Sequence, residues 1–197
     1  MNFRWGAPPD SISDDALASG QWRRIPFPSV WVLHLSALPV GAITALLPFA
    51  AWVRFGPKFS VEFAPSLHVV AATVMTVTVG VWLQALTQAG TGLDSRRGIG
   101  FWPSRLLLYV YRLDPAPKRR FLSQFFVPAL ALTLAPLLIG ILFRIESGWL
   151  LFVSCLAALC FGQNLLLGVW VAVKVPKGSA MAGRGLQLYW RSGASEA

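Results

Sequence analysis

The stretch Phe121–Val173, FLSQFFVPALALTLAPLLIGILFRIESGWLLFVSCLAALCFGQNLLLGVWVAV, holds two apolar blocks, Phe121–Phe143 and Trp149–Val173, with one short break between them. Arg144 and Glu146 in that break are its only charged residues, and Gly148 follows them. Each block exceeds the roughly 20 apolar residues a helix needs to cross the hydrocarbon core. A connection this short makes the two helices antiparallel neighbours. Pro128 and Pro136 lie inside the first block, and prolines are tolerated in membrane helices where neighbours satisfy the freed carbonyls.

Two further blocks precede this hairpin: Pro28–Val53, carrying Pro39 and Pro48, and Ser66–Ala89. Hydrophobic residues make up 55% of the 197, and the mean hydropathy is +0.59. That composition exceeds the soluble range. The fold class expected is an all-α polytopic membrane protein with four transmembrane helices, at about 28–53, 66–89, 121–143 and 149–173. These form a membrane domain over 28–175, between an N-terminal tail, 1–27, and a C-terminal tail, 176–197. The N-terminal residues are too polar for a signal peptide and read as a surface tail in which Trp5, Trp22 and Phe27 can reach the headgroup layer.

The net charge of +9 is distributed unevenly. Fourteen basic residues fall in the N-terminal tail, the Gly90–Arg120 connection and the C-terminal tail, while Arg54, Lys58 and Arg144 fall in the other two connections. The positive-inside rule then places both termini and the middle loop in the cytoplasm. No recognition helix, zinc finger or RNA-binding sheet pattern accompanies the charge, so no nucleic acid is expected. Anionic lipid is the simpler counterpart. Within the middle loop, Ile99–Trp102 and Leu106–Arg112 flank Pro103 and Ser104 and predict a short cytoplasmic β-hairpin between the second and third helices. Trp102, Tyr109 and Tyr111 are expected at headgroup depth, with Arg119 and Arg120 as lipid or partner contacts, and Leu186–Trp190 as a third strand. Cys155 and Cys160, five apart on one helix, read as packing residues.

The second helix carries Ala72, Thr76 and Gly80 at spacings of four, and the fourth carries Ala158 and Gly162. Such small-residue faces let membrane helices approach closely. Gln84, Gln88, Gln163 and Asn164 are the amides deep in the blocks, and the simplest pairing joins Gln84 to Gln163 or Asn164 across the bundle. A metal site needs several His, Cys, Asp or Glu ligands; the chain has two histidines, His34 and His68, and no HExxH. Ser123, Thr133 and Ser154 have no histidine beside them in sequence, and no carboxylate lies within a span.

Three segments carry a resemblance: ALTQAGTG at Ala85–Gly92, KRRFLSQFFVPAL at Lys118–Leu130 and VPKGSAMAGRGLQLYW at Val175–Trp190. Over Ser66–Trp190 the chain resembles a family of small four-helix bacterial membrane proteins, zincin-type peptidases akin to site-2 proteases. That family implies a second helix with HExxH and a fourth with an acidic residue ahead of the PKG ending. In HExxH zincins the histidines hold zinc and the glutamate activates water. By that resemblance the HExxH falls at Gly80–Gln84, with Gly80 and Gln84 at the histidine positions and Val81 at the glutamate, and the acid falls at Asn164 or Leu165.

The expectation is a degenerate member that binds no metal and no cofactor: a non-catalytic scaffold, or an accessory subunit of a larger inner-membrane complex, with a membrane-protein partner. Two alternatives stand beside it. One is a membrane metallopeptidase with unconventional ligands such as His34, His68 and Asp94. The other is a small transport or cofactor-binding subunit, in which His34 and His68 ligate a tetrapyrrole.

Overall fold

The computed structural model describes residues 2–26, 30–58, 67–89, 97–105, 107–185 and 187–192. Asp94 and Leu186 lie outside them, as do the predicted helix starts at Pro28 and Ser66. The chain runs β1 (Asn2–Trp5), α1 (Asp14–Ala18), β2 (Arg23–Arg24), α2 (Val30–Phe55), α3 (Leu67–Ala89), β3 (Arg97–Trp102), β4 (Leu107–Arg112), β5 (Ala116–Pro117), α4 (Lys118–Leu142), α5 (Gly148–Lys174), β6 (Ala180–Arg184) and β7 (Gln187–Arg191). Helices α2 to α5 are each long and apolar enough to cross a membrane. Pro39 and Pro48 lie within α2, and Pro128 and Pro136 within α4, without ending either helix. Helix α4 starts three residues before the predicted Phe121, directly after Pro117.

Two compact units divide the chain. The helical unit comprises Trp31–Gly80 and Phe126–Leu167. One of its cores joins Trp52, Leu137 and Leu151, flanked by Leu150 and Cys155; another joins Ala129, Ala157 and Phe161. The outward surface is apolar too: Leu35, Leu47 and Leu142 are each at least 70% exposed. Large exposed apolar surface on a helix has a reason when hydrocarbon, not water, surrounds it. Helix α4 ends with Arg144 in the left-handed region, at φ 53°. The Ile145 amide donates to Gly140 O at 3.0 Å and the Arg144 amide to Ile141 O at 3.4 Å. Those two bonds make a Schellman ending, with arginine where glycine usually sits.

The second unit comprises Met1–Val30, Val81–Phe125 and Gly168–Ala197. It contains two small sheets, ordered β1-β3-β4 and β2-β7-β6-β5. The predicted hairpin is present as β3 and β4, antiparallel, with Ile99 opposite Val110 and Phe101 opposite Leu108. Its third strand is β1, running parallel to β3, and not the C-terminal segment. That segment, as β7, pairs with β6 and β2 instead. The physical reason is local: β6 and β7 are adjacent in sequence, with Arg184 opposite Gln187 and Gly185 at φ 55° after β6, and a short connection favours a hairpin over pairing with a distant edge. The N-terminal segment is thereby drawn into both sheets. Ser11 Oγ accepts from the Gly183 amide at 2.8 Å, and Arg184 pairs with Asp14 at 2.6 Å and Asp10 at 3.5 Å. Ile25, Val171, Val175 and Met181 form the core, with Phe121, Leu188 and Trp190 packed against it.

Candidate functional site

Within the helical unit the small residues of α2, α3, α4 and α5 meet partners that fill the space a side chain would take. At Gly80, a Cβ would overlap the ring of Phe161, itself buried. At Gly162 it would overlap Thr44 Oγ1, and at Gly41 the carbonyl oxygen of Leu159. Thr44 Oγ1 lies 2.8 Å from Ala158 O, 2.9 Å from Gly41 O and 3.1 Å from Val40 O, within donating range of all three. Helices α2 and α5 are therefore nearly in backbone contact, the geometry in which small residues hold membrane helices together. Gly140 gives its space to the Trp52 indole, whose Nε1 donates to Pro57 O at 3.2 Å. Thr76 and Ala158 are buried, and Ala72 is half-buried.

The four positions that the resemblance assigns to zincin chemistry have these surroundings. Gly80 is packed under Phe161; Val81 is buried and apolar; Gln84 and Asn164 are half-buried. His68 is exposed at the start of α3, its ring 6.2 Å from that of Trp149. Twelve residues of helix put it about 18 Å along the axis from Gly80, too far to share an ion. His34 lies on α2. Among the described residues, no three His, Cys, Asp or Glu side chains could hold a metal ion together. Cys155 is half-buried and Cys160 exposed, both as free thiols.

Polar chemistry is richer in the strand-bearing unit. Lys118 Nζ donates to Ala172 O at 2.7 Å and to Val175 O, capping the carbonyl end of α5. Tyr109 is buried, with its ring over Gly100, and its hydroxyl donates to Gly6 O at 2.8 Å. Burial pushes the Tyr109 phenol above its ordinary value; Arg4 pulls the other way, and Tyr111 adds to the rise. Tyr111 lies over Gly98 and, like Trp102, is half-buried. Arg112 is lowered, first by burial, then by Arg97 and Arg120, with Asp114 opposing. Arg119 is exposed and Arg120 half-buried in the first turn of α4. The exposed aromatics of the three-stranded sheet are Phe3 and Trp5. Sequence reasoning placed Trp5 in a surface tail able to reach the headgroup layer, and passed over Phe3, Phe161 and Lys118. Phe3 and Trp5 alternate along β1, but a four-residue strand is too short for that alternation to stand out.

A family model described as "putative zincin peptidase" matches residues 73–180. Comparison with curated proteins and with solved structures gives no match. The zinc that such a family implies does not fit the residues here. Where the resemblance sets the ligands, Gly80 has no side chain and its space is filled by the Phe161 ring, Val81 stands where it sets the base, and the Gln84 amide where it sets the second ligand.

Proposed function

The chain belongs to this zincin-peptidase family, and from that premise we propose that it is a member without the chemistry: a non-catalytic membrane scaffold, or an accessory subunit of a larger inner-membrane assembly. The observation that carries the reading is the Gly80–Phe161 contact. A metal site keeps its ligands directed at an open position. Here Gly80, the first position that the resemblance assigns to a ligand, is packed against Phe161 of α5, so in this reading the fold is kept while the ligand set is replaced by close packing. Gly80, Val81, Gln84 and Asn164 are the degenerate positions in this reading.

The same reading places both termini and the α3–α4 connection, with its hairpin, in the cytoplasm. Fourteen of the seventeen basic residues lie in the strand-bearing unit, as the positive-inside rule asks of a cytoplasmic face. Strand pairing supports it as well. β1 joins the N-terminal segment to the middle connection, and β2 joins it to the C-terminal segment. Four crossings would bring those three segments to one side.

Extraction from native membranes in mild detergent, followed by native mass measurement, tests the role. A discrete particle holding this chain and a second membrane protein in fixed ratio is the expected result. A lone 21.5 kDa chain in its micelle would overturn the accessory-subunit reading.

A further inference from the structure

The three-stranded sheet has two unlike faces. Side chains alternate along a strand, and laterally paired residues share a face. The pairing therefore puts Phe3, Trp5, Ile99, Phe101, Leu108 and Val110 on one face. The other face carries Gly98 and Gly100 under the rings of Tyr111 and Tyr109, and is buried at Tyr109. The apolar face points outward: Phe3 is 65% exposed, Trp5 69% and Leu108 38%. Trp5 and Phe101 stack edge to face at 5.5 Å, so the patch is continuous across strands.

At one end of that face stand Arg97 and Arg112, directly opposite each other on β3 and β4. Like charges so placed repel; Arg120 acts on Arg112 in the same sense and Asp114 in the opposite one. An outward face that is aromatic and aliphatic along its length and cationic at one end matches a bilayer boundary. There the acyl edge takes apolar side chains and the phosphate layer takes arginines. A bilayer is also within reach of the chain. Arg112 precedes Lys118, the first residue of a helix apolar enough to span, by six residues, at most about 20 Å of extended backbone.

We propose that this face of the β1-β3-β4 sheet is a membrane-seating surface, with Phe3, Trp5, Phe101 and Leu108 at the acyl boundary and Arg97 and Arg112 on the phosphates of anionic phospholipid. The proposal is independent of the catalytic question, since it uses none of the degenerate positions.

The test uses the full chain with Cys155→Ala and Cys160→Ala, spin-labelled singly through Phe3→Cys or Leu108→Cys, with Asp15→Cys as a water-exposed reference. Each is reconstituted in phosphatidylcholine vesicles with and without phosphatidylglycerol. Label collision with oxygen, which concentrates in lipid, is compared with collision with a water-soluble nickel chelate. The expected oxygen-to-nickel ratio at positions 3 and 108 is several-fold above that at 15, and it rises further with phosphatidylglycerol. Arg97→Gln with Arg112→Gln removes the phosphatidylglycerol response, and Arg112→Lys keeps it. Nickel access equal to the reference would overturn the proposal. So would protection from both relaxants, which would mean a protein covers the face. A phosphatidylglycerol response unchanged by the glutamine pair would overturn the role of the arginines.

Discussion

The helical unit and the strand-bearing unit solve opposite problems. In the first, Gly41, Gly80, Gly140 and Gly162 give up their side-chain space to a carbonyl, a phenylalanine, a tryptophan and a threonine, and the charged groups are few. In the second, Lys118 caps a helix from a neighbouring element, Tyr109 spans from β4 to Gly6, and arginines oppose each other across strands. The lesson is where each kind of information is kept. Lipid offers helices no hydrophobic drive toward each other, so their association depends on shape. The strands and chain ends carry charge and hydrogen bonding, so recognition has its material there.

The sharpest way to break this contrast is Gly80→His, the change that would begin to restore the HExxH that the resemblance sets here. The Phe161 ring lies in the path of the new side chain, and overpacking of this kind is expected to cost about 3 kcal/mol or more. Thermal unfolding in detergent would measure it, and Phe161→Ala in the same chain should recover part of the loss. A Gly80→His protein as stable as the parent would remove the distinction between a packed interface and an open site.

Lys118→Met comes next, since it keeps the stem and removes the charged donor to Ala172 O and Val175 O. A charge-assisted bond contributes about 2 kcal/mol, so a lower midpoint is expected, together with faster amide exchange at the end of α5. Arg144→Gly should act in the opposite direction. The left-handed φ of 53° suits glycine, and relief of about 1 kcal/mol would raise the midpoint.

The smallest effect at neutral pH belongs to Tyr109→Phe, where one neutral hydrogen bond of about 1 kcal/mol is lost. Its pH dependence is more telling. Burial raises the folded-state value above the ordinary 10.0, so the folded chain holds this proton more tightly than the unfolded one. The contribution is intact below pH 10 and falls as pH climbs from there through the folded value. Ultraviolet titration should show a late-ionising tyrosine that Tyr109→Phe removes.

The four long helices were legible because a span leaves an uninterrupted apolar run, as Trp149–Val173 does. The β3–β4 hairpin was legible for a related reason, two strand-forming runs either side of Pro103 and Ser104. β1, β2 and β6 were not. Each is two to five residues long, too short for a local period to mark it, and β1 and β2 find their partners far away in the chain. At the candidate site, Gly80 and Gly162 stood out as small residues on helical spacings, but what fills their space did not. Phe161 and Thr44 reach them through tertiary packing, which spacing along one helix does not encode.

Metal content of the full chain, purified without chelator, incubated with zinc and desalted, tests the central claim most directly. With Gly80 under Phe161 and Val81 at the base position, the account predicts that no stoichiometric zinc stays with the protein. One zinc per chain, held against a chelator, would contradict it.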